Sequence, residues 1–168
     1  MAETITALLE HYGQALGGAP LSLDKDGHCA LETDAGLLLN LFLPPDGDTL
    51  MILADLGPKP PEESAAEIYG TLLGGNFLAG TQREGVLTLE AESGRIALLF
   101  TWPAPGPGAE AKSEAFSLFM EAISLRGLAW RDRYAEMLQD ESDPFGIWGQ
   151  EDEAAPADEL LAQGAIFP

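Results

Sequence analysis

The sequence predicts an α+β fold in which three helices alternate with two groups of antiparallel strands. The period of the apolar residues changes from three or four to two, and back again, twice along the chain. The strand-like segments come as a group of three and a group of two, with short turns between neighbours. We therefore expect the order helix, three-stranded meander, helix, two-stranded hairpin and long helix, with one face of an antiparallel sheet covered by helices.

The first half of the chain predicts one helix and three strands. Apolar residues recur at helical spacing until Gly17, Gly18 and Pro20 end the pattern. Two alternating segments follow, joined by a turn at 34–36 with the chemistry of a hairpin, and a second turn at 44–48 precedes the third strand. The predicted bounds are 5–16 for the helix and 28–33, 37–43 and 49–56 for the strands.

The second half predicts a helix, a hairpin and a long final helix. Pro61 suits the first turn of the middle helix, which we expect to end at Gly74 and Gly75. The hairpin covers 86–91 and 95–102, and a Pro- and Gly-rich linker follows at 103–108. The final helix carries one apolar stripe, made of Phe116, Phe119, Met120, Ile123, Gly127, Trp130, Tyr134 and Met137, with Glu121, Arg126, Arg131 and Glu136 on its opposite face.

The charge balance excludes two classes of partner. The chain carries 28 acidic and 8 basic residues, which gives a net charge of −20 at pH 7. Such a surface repels phosphate backbones and anionic lipids, so we expect neither nucleic acid nor membrane partners. The first residues lack a basic segment, and the longest apolar stretch, 37–43, is too short to cross a bilayer. We expect a soluble protein that stays inside the cell.

Histidine and cysteine are scarce and no catalytic motif is present, so we expect no enzymatic activity, no metal and no cofactor. His11 and His28 have no partner at ligand spacing, and the single Cys29 at an alternating strand position reads as a small core residue. The segment 24–27 could begin a calcium loop, but its distal ligands are missing and a tight turn explains it better. Paired carboxylates in so acidic a chain are typical of a solvated face.

The predicted elements resemble those of the class I chaperones of bacterial type III secretion, the Tir chaperone family, between about residues 5 and 138. Five segments carry the resemblance: a leucine-rich run, a link into the second helix, a helix end, a short strand and a pair of residues late in the last helix. These segments are PLSLD at 20–24 with GHCAL at 27–31, LGPKP at 56–60, LLGGNF at 72–77, GVLTL at 85–89, and Trp130 with Arg131. GTQRE at 80–84 keeps only part of the family's turn, and the chain continues beyond the family's usual end after Gln139.

The resemblance implies a homodimer that binds the N-terminal segment of a secreted effector in extended form. Such a client needs exposed apolar grooves and an available strand edge. The strand at 37–43 is apolar on both sides, since Leu38 and Phe42 alternate with the leucines of the other face. One side can pack on the long helix, and the other is then covered by a client or a partner subunit unless both are covered within the monomer. The candidate client contacts are Ile5, Leu8, Leu9, Tyr12, Leu39, Leu41 and Leu43, although a simple core face would have the same pattern.

The candidate dimer interface lies on the second helix and the following strand. These segments are apolar, but the sequence does not separate interface from core. The candidate residues are Ile68, Tyr69, Leu72, Leu73, Val86, Leu87 and Leu89.

The division into domains places a secretion-chaperone-like domain at 1–139 and an acidic tail at 140–168. The tail has no Lys or Arg and carries two short apolar islands. Phe145, Ile147 and Trp148 are candidates to dock over the client groove or to recruit the secretion apparatus, against the alternative of a solvated tail. The rival interpretation of the whole chain is a binding adaptor of the same fold whose partner is folded and unrelated to secretion.

Overall fold

The computed structural model of the protein describes residues 2–45, 47, 49–79, 85–103 and 113–139. These described residues form three helices and five strands in the predicted order, and the five strands form one antiparallel sheet with the strand order β1-β2-β3-β5-β4. The predicted α+β fold class is confirmed. The elements are α1 (Ala2–Ala15), β1 (His28–Glu32), β2 (Leu38–Phe42), β3 (Thr49–Gly57), α2 (Ala65–Ala79), β4 (Val86–Leu89), β5 (Ile96–Pro103) and α3 (Ser113–Gln139).

The hairpin of β4 and β5 extends the meander into one sheet. β5 pairs with β3, with Ile52 opposite Phe100, so β4 becomes an edge strand and β1 the other edge. The β3–β5 register shifts between Asp55 and Gly57, where Gly57 has a φ of 148° that side chains rarely adopt. Asp55 stabilises this bulge because its Oδ1 accepts a hydrogen bond from the Gly57 N–H at 3.1 Å.

The core lies on one face of the sheet, beneath the helices. Leu39, Leu41 and Ile52 of this face are fully buried, as are Ile5 and Phe116 of the first and last helices. Burying a side chain of this size contributes roughly 1.5–3 kcal/mol each. The alternation of the strands and the apolar stripe of α3 are therefore both confirmed, with Phe119 and Trp130 partly buried at the margin of the core.

The last helix lies unusually close to the sheet. A Cβ on Gly127 would come within 2.7 Å of Leu37 Cδ2 and 3.1 Å of Ala54 Cβ. Near the end of the helix, the Tyr134 hydroxyl donates a hydrogen bond of 2.5 Å to the Pro58 carbonyl. These contacts fix the distance between α3 and β3 at two points along the helix.

Two predictions of local structure were wrong. The middle helix begins at Ala65, four residues after Pro61, and does not end at Gly74 and Gly75 but continues to Ala79. Gly75 is needed for close packing, since a Cβ there would come within 2.8 Å of the Trp130 ring and 3.0 Å of Leu87 Cδ1. Arg131, predicted on the solvent face of α3, instead donates hydrogen bonds to the carbonyls of Ala35 and Gly36 at 3.3 and 3.0 Å.

The turns match their predictions more closely. Gly36 has a φ of 71° and closes the turn between β1 and β2 by donating to the Thr33 carbonyl at 2.8 Å. The segment at 24–27 is a tight turn before β1, with Gly27 at a φ of 80°. The predicted linker after Pro103 and the acidic tail lie outside the described residues.

Candidate functional site

One apolar surface of the sheet faces away from the helices. It consists of Phe42, Met51, Leu53, Val86 and Leu99, which we call the open face. Val86 is 43% exposed, the other four side chains are partly exposed, and none of the five belongs to the hydrophobic core cluster. Within the described part of the chain, the buried residues of all three helices pack on the opposite side of the sheet.

The open face is continuous across the strands. Leu53 lies opposite Leu99, and Leu99 lies opposite Val86, so three apolar side chains form one row over β3, β5 and β4. Phe42 lies opposite Met51 in the neighbouring row. Side chains paired in this way have Cβ atoms about 4.5–5.5 Å apart. Two polar residues border the apolar side chains on the same face, Asn40 opposite Leu53 and Thr101 opposite Met51. A surface of this composition can bind an apolar segment of another chain.

The two edges of the sheet differ in what their backbone groups can bind. Two main-chain hydrogen bonds flank the β1–β2 pair, one from Leu43 N–H to the Gly27 carbonyl and one from Thr33 N–H to the Leu37 carbonyl. They show that the backbone N–H and C=O groups of odd-numbered residues in β1 point toward β2. The backbone groups of Ala30 and Glu32 therefore point outward, along the edge. An extended peptide can add to such an edge through main-chain hydrogen bonds.

At the beginning of β1, the outward backbone groups of His28 are already hydrogen-bonded to the preceding turn. Asp24 N–H donates to the His28 carbonyl at 2.7 Å, and the Asp24 carboxylate accepts from His28 N–H at 2.9 Å. The hydrogen bond that the carboxylate accepts from His28 N–H, with a second from Asp26 N–H, holds the pKa of Asp24 below its ordinary value. The available part of the edge thus starts after His28.

The β4 edge is capped by a side chain of α2. Asn76 Nδ2 donates to the Leu87 carbonyl at 2.9 Å, and Leu87 N–H donates to Asn76 Oδ1 at 2.7 Å. Both outward backbone groups of Leu87 are therefore occupied. Asn76 lies in the predicted helix-end segment 72–77, and a single sequence gives no signal for its role as a cap of β4.

All seven candidate client contacts predicted from the sequence lie in the core of the chain. They contact the protein's own helices and sheet, so a client would reach them only after a rearrangement. Their exposed fractions are 0% for Ile5, 1% for Leu8, 0% for Leu9, 9% for Tyr12, 0% for Leu39, 0% for Leu41 and 8% for Leu43. Their role in client binding stays a prediction, whereas Phe42, on the other side of β2, belongs to the open face.

The candidate dimer residues divide into two groups. Ile68, Leu72 and Leu87 are no more than 7% exposed and pack in the core. Leu73, Val86 and Leu89 are 68%, 43% and 48% exposed, and Tyr69 is partly buried. Leu73 precedes Asn76 by three residues, so it lies on the same side of α2, next to the β4 edge. The structure thus leaves an exposed apolar area at this end of the sheet.

The described residues contain neither a candidate metal site nor a helix that could span a membrane. These residues contain no cluster of three or more His, Cys, Asp or Glu side chains that could hold a metal ion. Within the same ranges, no helix has the length and apolarity needed to cross a membrane. The tail candidates Phe145, Ile147 and Trp148 lie outside the described residues.

The chain belongs to the Tir chaperone protein (CesT) family, whose model matches residues 7–124. The resemblance to the chaperones of type III secretion is therefore confirmed, and the protein is a secretion chaperone of the kind that binds effectors. No curated protein sequence matches the chain.

Several solved structures share the fold. A chain of the crystal structure of the ExsC–ExsE complex is 21% identical, with a TM-score of 0.64, and the match covers 84% of this chain and 98% of that one. A chain of the HopA1–SchA chaperone–effector complex is 19% identical, with a TM-score of 0.57 and coverage of 77% and 94%. YbjN from E. coli, described as a putative transcription regulator, is 12% identical, with a TM-score of 0.53 and coverage of 78% and 92%.

Proposed function

We propose that the protein binds the N-terminal segment of a secreted effector in extended form, along the open face and the outward edge of β1, and so keeps the effector soluble and competent for secretion. The observation that carries the proposal is the open face itself, a continuous apolar surface that the described helices leave exposed. The structures of chaperone–effector complexes with this fold support it.

An extended client fits this surface better than a folded one. The outward backbone groups of Ala30 and Glu32 can supply main-chain hydrogen bonds to one strand, which would position that strand beside the sheet. Alternate side chains of the client would then point toward the side occupied by Phe42 and Leu53. The capped β4 edge directs strand addition toward β1.

The charge of the protein favours a client segment with basic residues among its apolar ones. A net charge of −20 attracts such a segment over a long range and speeds the encounter. Because the attraction acts through solvent, it weakens as salt is added. The apolar contacts of the open face would remain.

The functional unit is a homodimer in this proposal. The exposed Leu73 and Leu89 with the partly buried Tyr69 lie at the α2–β4 end of the sheet, distant in strand order from the β1 edge. A dimer formed there covers these side chains and leaves both β1 edges available. We place the dimer in the bacterial cytoplasm, without cofactor or catalysis.

A binding adaptor with a folded partner is the alternative, because the fold also occurs in YbjN. The two functions differ in the state of the partner. A secretion client would remain sensitive to protease outside the bound segment and protected within it. A folded partner would keep its own protection whether bound or free.

Co-expression of the protein with the secreted protein encoded next to it tests the function. We expect a stable complex on size exclusion with an N-terminal client segment protected from protease. Leu53→Lys should weaken this complex by roughly tenfold or more, because a charge then faces the apolar segment and 1.4 kcal/mol corresponds to tenfold. Leu16→Lys, at a 61% exposed position in the turn after α1, is the matched control and should bind normally. Equal binding by both variants would exclude the open face as the site.

A further inference from the structure

The helix α3 carries an apolar stripe on its solvent side that the proposed client site does not use. It consists of Ala115, Leu118, Ala122, Leu125 and Ala129, which we call the α3 stripe. Leu118 is 61% and Leu125 is 64% exposed, and the three alanines are exposed as well. The alternating spacing of three and four residues places all five side chains on one face of the helix.

The α3 stripe has the features of a docking surface. Single exposed leucines are common on proteins, but here two leucines lie seven residues apart with small residues between them. The alanines allow an apolar segment to approach the helix closely, and the leucines provide the area to be buried. Each leucine covered in this way contributes to docking through the loss of its exposed surface.

One border of the α3 stripe is basic. Arg126 follows Ala122 by four residues and Arg133 follows Ala129 by four, so both lie beside the stripe. The Arg133 guanidinium stands 5.6 Å from the centre of the Trp130 ring. The other border carries Glu121, and Asp132 and Glu136 continue the rows of Leu125 and Ala129 toward Gln139, so an acidic segment is disfavoured on that side and near the end of the helix. A ligand of negative charge with apolar residues would therefore approach from the arginine side.

The chain itself contains such a ligand, directly after α3. Residues 140–168 have no Lys or Arg, and Phe145, Ile147 and Trp148 stand between acidic residues at 140, 141 and 143 and at 151–153. Leu125 precedes Gln139 by fourteen residues, or about 21 Å at 1.5 Å per helical residue. Eight extended residues after Gln139 span about 26 Å, so Ile147 can reach Leu125.

We propose that Phe145, Ile147 and Trp148 dock on the α3 stripe of their own chain, with the neighbouring carboxylates beside Arg126 and Arg133. Tethering at Gln139 supports this because a short linker gives an effective concentration on the order of millimolar. The stripe lies on the helical side of the molecule, away from the open face. A docked tail therefore leaves the open face free, and the proposal does not rest on client binding.

Photo-cross-linking in the full-length chain tests this proposal. Cys29→Ser removes the only thiol, and Ala122→Cys then carries a benzophenone maleimide within the α3 stripe. We expect cross-links within one chain to peptides from 140–168. Glu10→Cys, an exposed site on α1, is the control and should give at least fivefold fewer such links. Equal yields from both sites, links to a second chain, or links only to residues before Gln139 would each overturn the proposal.

Substitutions in the tail identify the docking residues. Ile147→Asp with Trp148→Asp should reduce the intramolecular cross-link from the benzophenone at position 122 at least fivefold, since two charges would meet Leu125 and its neighbours. Leu160→Asp with Leu161→Asp is the matched change in the same tail and should leave the yield unchanged. If the second pair lowers the yield and the first does not, the docking segment has been assigned incorrectly and the proposal fails.

Discussion

At the scale of single residues, two glycines determine how closely the helices approach the sheet and each other. Gly127 brings α3 onto Leu37 and Ala54, and Gly75 allows α2 to contact the Trp130 ring. The sequence pattern predicted Gly127 as a core position, because it lies on the buried face of α3 with large residues such as Phe116 and Met120. Gly75 was mistaken for a helix end, since a glycine that ends a helix and one that admits a neighbouring ring look alike in a single sequence.

Substitution of Gly127 by Ala should destabilise the protein. The added methyl group would meet Leu37 and Ala54, and overpacking of this kind costs about 1–3 kcal/mol. Gly70→Ala is the matched control within α2, because a Cβ there has no neighbour within 4 Å. Urea unfolding should place Gly127→Ala about 2 kcal/mol below Gly70→Ala in unfolding free energy, a comparison that cancels the helix propensity of alanine. Equal stabilities would contradict the close packing of α3.

The Tyr134 hydroxyl makes the stability of the protein depend on alkaline pH. Burial raises the pKa of Tyr134 from 10.0 to about 12, so the folded protein holds this proton more tightly than the unfolded chain. The contribution of this proton to the free energy of unfolding is fully present below pH 10 and is lost as the pH rises toward 12. Tyr134→Phe should lower the unfolding free energy by about 1 kcal/mol at pH 7, through loss of the bond to Pro58, and should reduce the fall between pH 10 and 12. Urea midpoints at several pH values measure both effects, and an unchanged alkaline slope would contradict the assignment.

At the scale of elements, the position of the hairpin accounts for the shape of the sheet. The alternating patterns predicted the strands and their antiparallel turns, but did not show that β5 would pair with β3 and leave β4 at the edge. Pairing across a long connection is set by tertiary packing, here by α2 against β4 and α3 against β3. The cap of Asn76 on Leu87 depends on that arrangement, and so could not be predicted from the local sequence.

Loss of the Asn76 side chain should open the β4 edge. Asn76→Ala leaves both outward backbone groups of Leu87 without their partner, which costs about 1–3 kcal/mol. Asn40→Ala, at an exposed position on β2, removes the same side chain with little expected loss. Thermal unfolding and light scattering should show lower stability and more self-association for the Asn76 variant alone. Identical behaviour of the two variants would show that the cap is unimportant.

At the scale of the whole molecule, one face of the sheet makes a core and the other remains available. The sequence showed that β2 is apolar on both sides, but not which side the helices cover, because Leu39 and Phe42 are equally apolar. Packing of α1 and α3 decides this and places Leu39 in the core. For the same reason, the candidate contacts on α1 lie in the core, while Met51, Leu53 and Leu99, which the sequence analysis did not select, line the open face.

The proposed dimer predicts a change of mass on substitution. Twice the 17.8 kDa chain gives a dimer of about 36 kDa. Leu73→Glu with Leu89→Glu should yield a monomer, since four carboxylates would then meet across a two-fold interface. Leu118→Glu with Leu125→Glu changes equally exposed leucines on α3 and should leave the dimer intact. Light scattering distinguishes these outcomes. A dimer that persists after the first pair of changes would show that the interface lies elsewhere.

Hydrogen exchange of the protein, with and without its co-expressed client segment, shows whether the client binds at the open face and the β1 edge. We expect slower exchange on binding at the outward amides of Ala30 and Glu32 in β1, with little change at Leu87, whose amide is already bonded to Asn76. We also expect the bound client segment to gain protection as one extended stretch. Protection confined to the helices, with β1 unchanged, would contradict client binding at the open face and the β1 edge.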